Sequence, residues 1–260
     1  MITQLALVPI GFFLAAIFSM VGLGGGVFIV PMLVLGFKLP AQSAIGVSLA
    51  TMTFTTLSAT IAYARQRRIN YKIGVLLDVL DVPGAVAGAY ATTLIAPNWL
   101  ASLFGILLIA ISALMFRKRD PASLPLADGP PGRRGLHVRV VVLCLLASFA
   151  SGVVAGMFGA GGGTVDESVM ILALGLPAHV AAATSVFGMA LTNSAAAVSH
   201  GLLGNILPEY AVPLIIGGVF GAQLGPKLSQ RVQARTLRRV LAVIFVAIGL
   251  RMILLPYVAA

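Results

Sequence analysis

The chain has 260 residues, of which 59% are apolar and 9% charged. Soluble domains carry about 25% charged residues, so too few charges are present to cover a water-soluble surface of this size, and lipid must solvate much of the exterior. The formal charge of +10 would suggest nucleic acid in a soluble protein. Here the basic residues crowd into a few short loops, the pattern produced by membrane topology selection, and nucleic-acid binding is not expected. The single cysteine, Cys144, sits inside an apolar run. It can form neither an intrachain disulfide nor a cysteine metal site. Met1 to Gln4 has no basic n-region, and the first apolar run leads into a glycine cluster, so no cleavable signal is expected.

Apolar runs of about 20 residues, the length of a bilayer-spanning helix, recur along the chain. They are continuous rather than alternating, which disfavours a β-barrel. The first run, Leu5 to Val21, ends at Gly22-Leu23-Gly24-Gly25-Gly26. A short run, Val27 to Leu35, follows. At 1.5 Å per residue such a run covers at most roughly 18 Å and cannot span. Three runs of spanning length come next: Ala41 to Ala64, Ile73 to Ala96 and Trp99 to Phe116. Residues 117–139 are rich in proline, glycine and arginine and read as an exposed linker. Beyond it the order repeats: Val140 to Phe158, a glycine cluster, the short run Thr164 to Leu174, then Ala178 to His200, Leu207 to Leu228 and Thr236 to Leu255.

The two halves are related in sequence. Gly22-Leu23-Gly24-Gly25-Gly26 recurs as Gly159-Ala160-Gly161-Gly162-Gly163, 137 residues later. Leu39-Pro40-Ala41 recurs as Leu176-Pro177-Ala178, and Thr55 as Thr192, at the same spacing. The glycine pattern from Gly84 matches that from Gly217, a spacing of 133, which predicts a four-residue loss in the preceding loop of the second half. Basic and neutral loops exchange places between the halves. Arg65, Arg67, Arg68 and Lys72 stand where the second half has the uncharged 201–206 loop, and Pro97-Asn98 stands opposite Lys227, Arg231, Arg235, Arg238 and Arg239. Equivalent loops therefore face opposite sides, with the basic ones inside. The expected fold is all-α: a polytopic membrane protein of two inverted repeats, 1–116 and 140–260. Each repeat is a broken, re-entrant hairpin plus three spanning helices. The linker faces the cytoplasm and both termini face outside.

The glycine clusters are the main candidate site. Glycine lets the backbone leave a helix and approach a substrate closely, and irregular backbone at membrane depth is tolerated where it is buried or lines a cavity. A new helix starts after each cluster, so free amides carrying roughly half a positive charge point back at the turn. Two such turns would bind an anion without a buried Arg or Lys. Tight helix packing is the alternative use of these glycines. No Gly-Lys-Ser/Thr follows either cluster, so neither is a P-loop.

The repeated Gly-x-Gly-Gly-Gly, then Leu-Pro-x, then Ala44 to Ser48 or Ala182 to Ser185, resembles the TauE/SafE sulfite exporter family over nearly the whole chain. The resemblance implies a duplicated membrane fold that moves sulfite, thiosulfate or organosulfonates, outward in some members and inward in others. Carried over by position, the implied substrate-binding residues are Gly24, Gly25, Gly26, Gly161, Gly162 and Gly163, with hydroxyls from Ser48, Thr51, Thr184 and Ser185. Back-bonding to the preceding helical turn is the alternative role for each hydroxyl.

The chain departs from the family pattern at Asp166 and Glu167, where the first half has Ile29-Val30. Acids at membrane depth default to a functional hypothesis. Three roles fit them: carrying a coupling proton, capping a helix or pairing with a basic loop, or selecting a differently charged substrate. Asp78 and Asp81 are expected to pair with Arg67, Arg68 or Lys72, and His179 and His200 to lie at the interface. Asn193 and Gln223 are expected to bond between helices, and Trp99 to anchor at the interface.

The expected function is a secondary transporter, multi-pass in the cell membrane of a bacterium, exporting sulfite or a related organosulfur anion with proton or ion coupling. An uptake permease or a passive anion channel uses the same parts. No nucleophile–base set, HExxH or thiol pair points to an enzyme, and no catalytic residue, cofactor or metal is expected. The expected partners are the small anion and the bilayer; the residues do not give an oligomeric state.

Overall fold

A computed structural model describes residues 6–21, 25–117, 138–172, 174–228 and 234–258. Gly24 and nearly all of the expected 117–139 linker fall outside them. The described residues form ten α-helices: α1 (Leu7–Val21), α2 (Gly26–Pro31), α3 (Ala41–Arg65), α4 (Tyr71–Ala91), α5 (Pro97–Arg117), α6 (Val138–Phe158), α7 (Gly163–Leu172), α8 (Ala178–Leu202), α9 (Pro208–Leu228) and α10 (Ala234–Val258). After Pro31, which has no N–H to bond the preceding turn, α2 continues as a wider π-turn over Met32–Gly36. At its far end α4 tightens to a 3-10 turn over Thr92–Leu94. Both short helices and every longer one match the apolar runs within a few residues.

The boundaries follow from local chemistry. Pro40 and Pro177 stand just before α3 and α8 with extended backbone, at φ −54° and −58°, because proline cannot donate into a preceding turn. Asn70 caps α4, its side chain accepting from the Ile73 amide at 3.3 Å. The end of α3 is closed by Arg67 at φ 53°, with the Arg68 amide bonded back to the Tyr63 carbonyl. The end of α8 is closed the same way by Gly204 at φ 73°, with Asn205 bonded back to His200. Lys38 and Gly175 share the left-handed turn that follows the short helices, at φ 56° and 67°. Each of these pairs is separated by 137 residues.

This spacing corrects one sequence expectation. Gly84 lies against the Phe149 carbonyl and Gly221 against the Phe12 carbonyl. Phe12 and Phe149 are 137 apart, so Gly84 corresponds to Gly221, not to Gly217, and no four-residue loss is needed. Glycines recur one helical turn apart in both halves (Gly84 and Gly88, Gly217 and Gly221). A pattern of period four matches itself equally well after a shift of one turn, and only the helix each glycine touches breaks the tie.

Packing exchanges partners between the halves. Helix α4 lies on α6 and α9 on α1; α4 also meets α8, α9 meets α3, α3 meets α8, and α5 pairs with α10. Small residues let these backbones approach closely: a Cβ at Gly152 would run into the Asp81 carbonyl, and one at Gly217 into the Val8 carbonyl. The largest core draws on both halves, including Phe18, Leu49, Phe104, Phe158 and Phe245. The Phe18 and Phe245 rings stack at 6.4 Å. The outward face carries large exposed apolar side chains such as Phe13, Leu143, Phe220 and Val243, a surface that lipid covers. Three stretches are both long and apolar enough to cross a bilayer by their described residues: Ala41–Arg65, Tyr71–Leu94 and His179–Leu202. Trp99 is two-thirds exposed, at 67%, as an interfacial anchor requires. The chain is a polytopic, all-α membrane protein.

Candidate functional site

The two glycine turns meet, with Gly26 of the first against Gly159 of the second. Gly25 takes φ 90°, Gly159 φ 63° and Gly161 φ 73°, conformations that a side chain disfavours. Gly26 approaches the Gly159 carbonyl so closely that a Cβ there would overlap it and Met52 Sδ, and would lie 3.0 Å from Ser48 Oγ. In the other half Gly163 stands in the same relation to Met189 and Ser185: a Cβ would lie 2.5 Å from Met189 Sδ and 2.9 Å from Ser185 Oγ. Met52 and Met189, like Ser48 and Ser185, are 137 residues apart. The described glycines of both clusters, Gly25, Gly26, Gly159, Gly161, Gly162 and Gly163, are buried. Helices α2 and α7 begin at these turns, so their first amides have no partner within their own helix.

The four hydroxyls divide into two kinds. Ser48 donates across the halves to the Gly159 carbonyl at 3.0 Å, and Ser185 donates to the Gly163 carbonyl at 2.8 Å. Both hold the turns and keep lone pairs free to accept. Thr51 instead bonds back to the Val47 carbonyl at 2.8 Å. Thr184 accepts from the Asn70 amide at 3.0 Å and so anchors the α3–α4 loop. Thr51 and Thr184 therefore do not aim their hydroxyls at the turns, although both are buried.

The acids are arranged differently from their sequence reading. Asp78 and Asp81 form no ion pair with Arg67, Arg68 or Lys72. They turn inward, 6% and 0% exposed, onto one residue of α8: Thr192 Oγ1 lies 2.6 Å from Asp81 Oδ2 and 3.3 Å from Asp78 Oδ1. They sit two and three turns into α4 on the face that packs against α6 and α8, out of reach of the loop before it. Asp166 is buried in the first turn of α7. It does not cap that helix. Its Oδ2 accepts from Ser151 of α6 at 3.2 Å, and the same hydroxyl lies 2.9 Å from the Gly162 carbonyl. Glu167 is buried beside it. Sequence reading missed Ser151 and Thr192 as partners of these acids. The signal was present, since Thr192 repeats Thr55 in register while Asp81 stands where α9 has Gly218.

Three further expectations are corrected. His200 is fully buried rather than interfacial: its Nε2 donates to the Gly156 carbonyl at 2.9 Å and its Nδ1 accepts from Asn205 at 3.0 Å. Tyr63, its counterpart, donates to the Ser19 carbonyl at 3.1 Å, so the same joint is made by two residue types. Asn193 is fully buried and neither of its amide atoms has a hydrogen-bond partner among the described residues. Gln223 lines a cleft of about 190 Å³ with Ile61, Ala62, Arg65 and Gln66. His179 is exposed, as expected. Among the described residues no group of His, Cys, Asp and Glu is arranged to hold a metal ion.

Comparison with known proteins agrees with this architecture. The chain matches the family described as sulfite exporter TauE/SafE over residues 7–252. It is 31% identical over 262 residues to the probable membrane transporter protein YunE of Bacillus subtilis, covering 95% of this chain and 96% of that one. It is 27% identical to the probable membrane transporter protein YdhB of the same organism, over 84% of this chain and 87% of that one. A probable membrane transporter protein of Methanocaldococcus jannaschii is 26% identical over 95% of this chain and 94% of its own. No solved structure matches. With its paired glycine turns, its serine latches and this likeness from end to end, the chain belongs to the sulfite exporter TauE/SafE family.

Proposed function

We propose that this chain is a secondary transporter that exports sulfite or a related organosulfur anion, driven by a proton or ion gradient, across the cell membrane of a bacterium. The observation that carries the reading is the meeting of the two glycine turns, where Gly26 lies against the Gly159 carbonyl. The anion binds between the turns, on the amides of Gly24 to Gly26 and Gly161 to Gly163. Sulfite and sulfonate oxygens accept hydrogen bonds, and two helix starts supply donors and partial positive charge without a buried cation. Ser48 and Ser185 adjust the turns and offer hydroxyls; Thr51 and Thr184 hold the surrounding helices. The basic loops face the cytoplasm and the halves lie inverted, so that rocking one against the other exposes the turns alternately to each side.

The experiment is transport by purified protein in proteoliposomes, with sulfite, thiosulfate, sulfoacetate and taurine offered in turn, with and without a pH gradient. The reading expects saturable movement of at least one sulfur oxyanion, counterflow, and acceleration by the gradient. Unsaturable electrical conductance without counterflow would make the protein a channel. Accumulation favoured in the inward direction would make it an uptake permease. Failure to move any of the four would remove the organosulfur assignment.

A further inference from the structure

We infer that Asp78, Asp81 and Asp166 form a proton-binding site, built at only one of the two equivalent helix junctions, that couples proton movement to the second glycine turn. This inference rests on the transporter reading for its purpose and on its own geometry for its existence. The Thr192 hydroxyl owns one hydrogen, yet carboxylate oxygens of Asp81 and Asp78 lie 2.6 and 3.3 Å from it. One contact is served by that hydrogen. The other becomes a full hydrogen bond when a proton sits on the carboxyl and is donated to the hydroxyl oxygen. Ser151 repeats the arrangement, with one hydrogen between Asp166 Oδ2 at 3.2 Å and the Gly162 carbonyl at 2.9 Å. It also lies beside Asp81.

A second observation points to the same ligand. Asp78 Oδ2, Asp81 Oδ1 and Asp166 Oδ1 are each buried without a hydrogen-bond partner, in residues 6%, 0% and 5% exposed. Ionised carboxylates left this way at membrane depth carry a desolvation cost that neutralisation removes. Among the described side chains no cation pairs with them. On α4 the other titratable groups are Tyr71 and Lys72 at its start and Tyr90 near its end; α6 contributes Arg139 in its first turn, twelve residues before Ser151, and Cys144, and α7 contributes Glu167. On α8, His179 lies exposed at the start and His200 is committed to Gly156 and Asn205. The group that satisfies the orphaned oxygens is therefore a proton.

The equivalent junction, built from α1, α2, α3 and α9, shows that this is a constructed feature. At the 137-residue spacing, Asp78, Asp81, Ser151 and Asp166 correspond to Ile215, Gly218, Leu14 and Ile29. The repeated threonine responds to its surroundings: Thr55 bonds back to the Met52 carbonyl at 3.1 Å, whereas Thr192 turns to the acids. Gly188 stands where the first half has Thr51, and a Cβ there would lie 2.9 and 3.0 Å from the Asp78 carboxyl oxygens. Three acids, two hydroxyls and the glycine that makes room for them occur together at one of the two equivalent junctions.

The coupling route follows from the shared hydrogen on Ser151. With Asp166 ionised, that hydrogen is drawn to its carboxylate, and the Gly162 carbonyl loses its side-chain donor and keeps only the amides of Val165 and Asp166. With Asp166 protonated, its own O–H donates to Ser151, whose hydrogen is released to Gly162. Protonation of the cluster thus tightens the turn from which α7 starts, and proton release loosens it. The proton enters from one side of the membrane onto a carboxylate and leaves to the other, with no bond broken besides O–H.

Two measurements test the site. The first is infrared difference spectroscopy on purified protein titrated with acid and base, which sees the carbonyl stretch of a protonated carboxyl and needs no substrate. The wild type should show buried, protonated carboxyl bands at neutral pH, and D78N/D81N should lose the share of them that Asp78 and Asp81 carry. The second is transport in proteoliposomes, where D78N/D81N should lose gradient-driven movement and keep anion exchange. T192V, which removes the shared hydroxyl without adding bulk, should shift the pH dependence of both signals. An unchanged band in D78N/D81N, or unimpaired gradient-driven transport by it, would overturn the proposal. A band that behaves as expected in a protein that moves none of the anions would support the proton site and sink the organosulfur reading alone.

Discussion

Neighbouring glycines of the first turn should fail for different reasons when replaced by alanine, and the difference is measurable. At Gly26 the added methyl overlaps the Gly159 carbonyl and Met52 Sδ. The thioether can swing aside, but the carbonyl belongs to the other turn and moves only if the halves separate. Overpacking a tight interior costs about 1–3 kcal/mol, and a backbone obstacle places Gly26→Ala near the upper end. At Gly25 the space is ordinary, with Phe18 Cβ 3.7 Å away, but φ is 90°. Holding a side chain in a left-handed conformation costs about 1–2 kcal/mol. At Gly36 nothing lies within 4 Å of the new methyl and φ is not left-handed, so Gly36→Ala should gain about 0.4–1 kcal/mol by restricting the unfolded chain. Thermal unfolding in detergent, followed by size-exclusion fluorescence, should rank the variants Gly36→Ala, wild type, Gly25→Ala, Gly26→Ala. Gly26→Ala melting at or above Gly25→Ala would refute the claim that the turns are in contact. Larger replacements are less informative: Gly162→Leu would collide with Ser151, so its failure would report lost packing as much as a lost anion site.

Ser48→Ala should cost about 1–3 kcal/mol, because it leaves the buried Gly159 carbonyl without its donor across the halves; a melting temperature equal to wild type would show that bond to be dispensable. Lys38→Gly should stabilise by about 0.5–1 kcal/mol, the left-handed penalty outweighing the entropy of glycine, as Gly175 already does at the matching turn; a lower melting temperature would contradict this. Cysteines placed at Ser123 and at Ala259, in a chain whose buried Cys144 is replaced by alanine, should label from opposite sides of the membrane. Labelling from the same side would remove the inverted arrangement.

The sequence was sufficient for the elements, and the reason is the solvent. In lipid every backbone group must be satisfied within its own helix, so a continuous apolar run becomes a helix and a run of at most about 12 residues cannot span. Leu5 to Val21, Val27 to Leu35 and their partners therefore appear as helices close to where composition puts them. The glycine clusters and the Leu-Pro-Ala steps were legible for a similar reason: each marks a backbone need that few other residues meet. Side-chain partnership was not legible, because it depends on which helices are neighbours. Asp78 and Asp81 look like companions of Arg67, Arg68 and Lys72 along the chain. In space α4 turns them toward α6 and α8, to Thr192 and beside Ser151. The register between the halves shows the same limit. Glycines one turn apart align equally well at 133 or 137 residues, and only contact with Phe12 and Phe149 selects 137. Helix formation in a membrane is a local decision, written in composition and period. Which face of a helix meets which neighbour is a packing decision, made by close approach at small residues, and it is there that Thr55 and Thr192, equivalent in the repeat, acquire different partners.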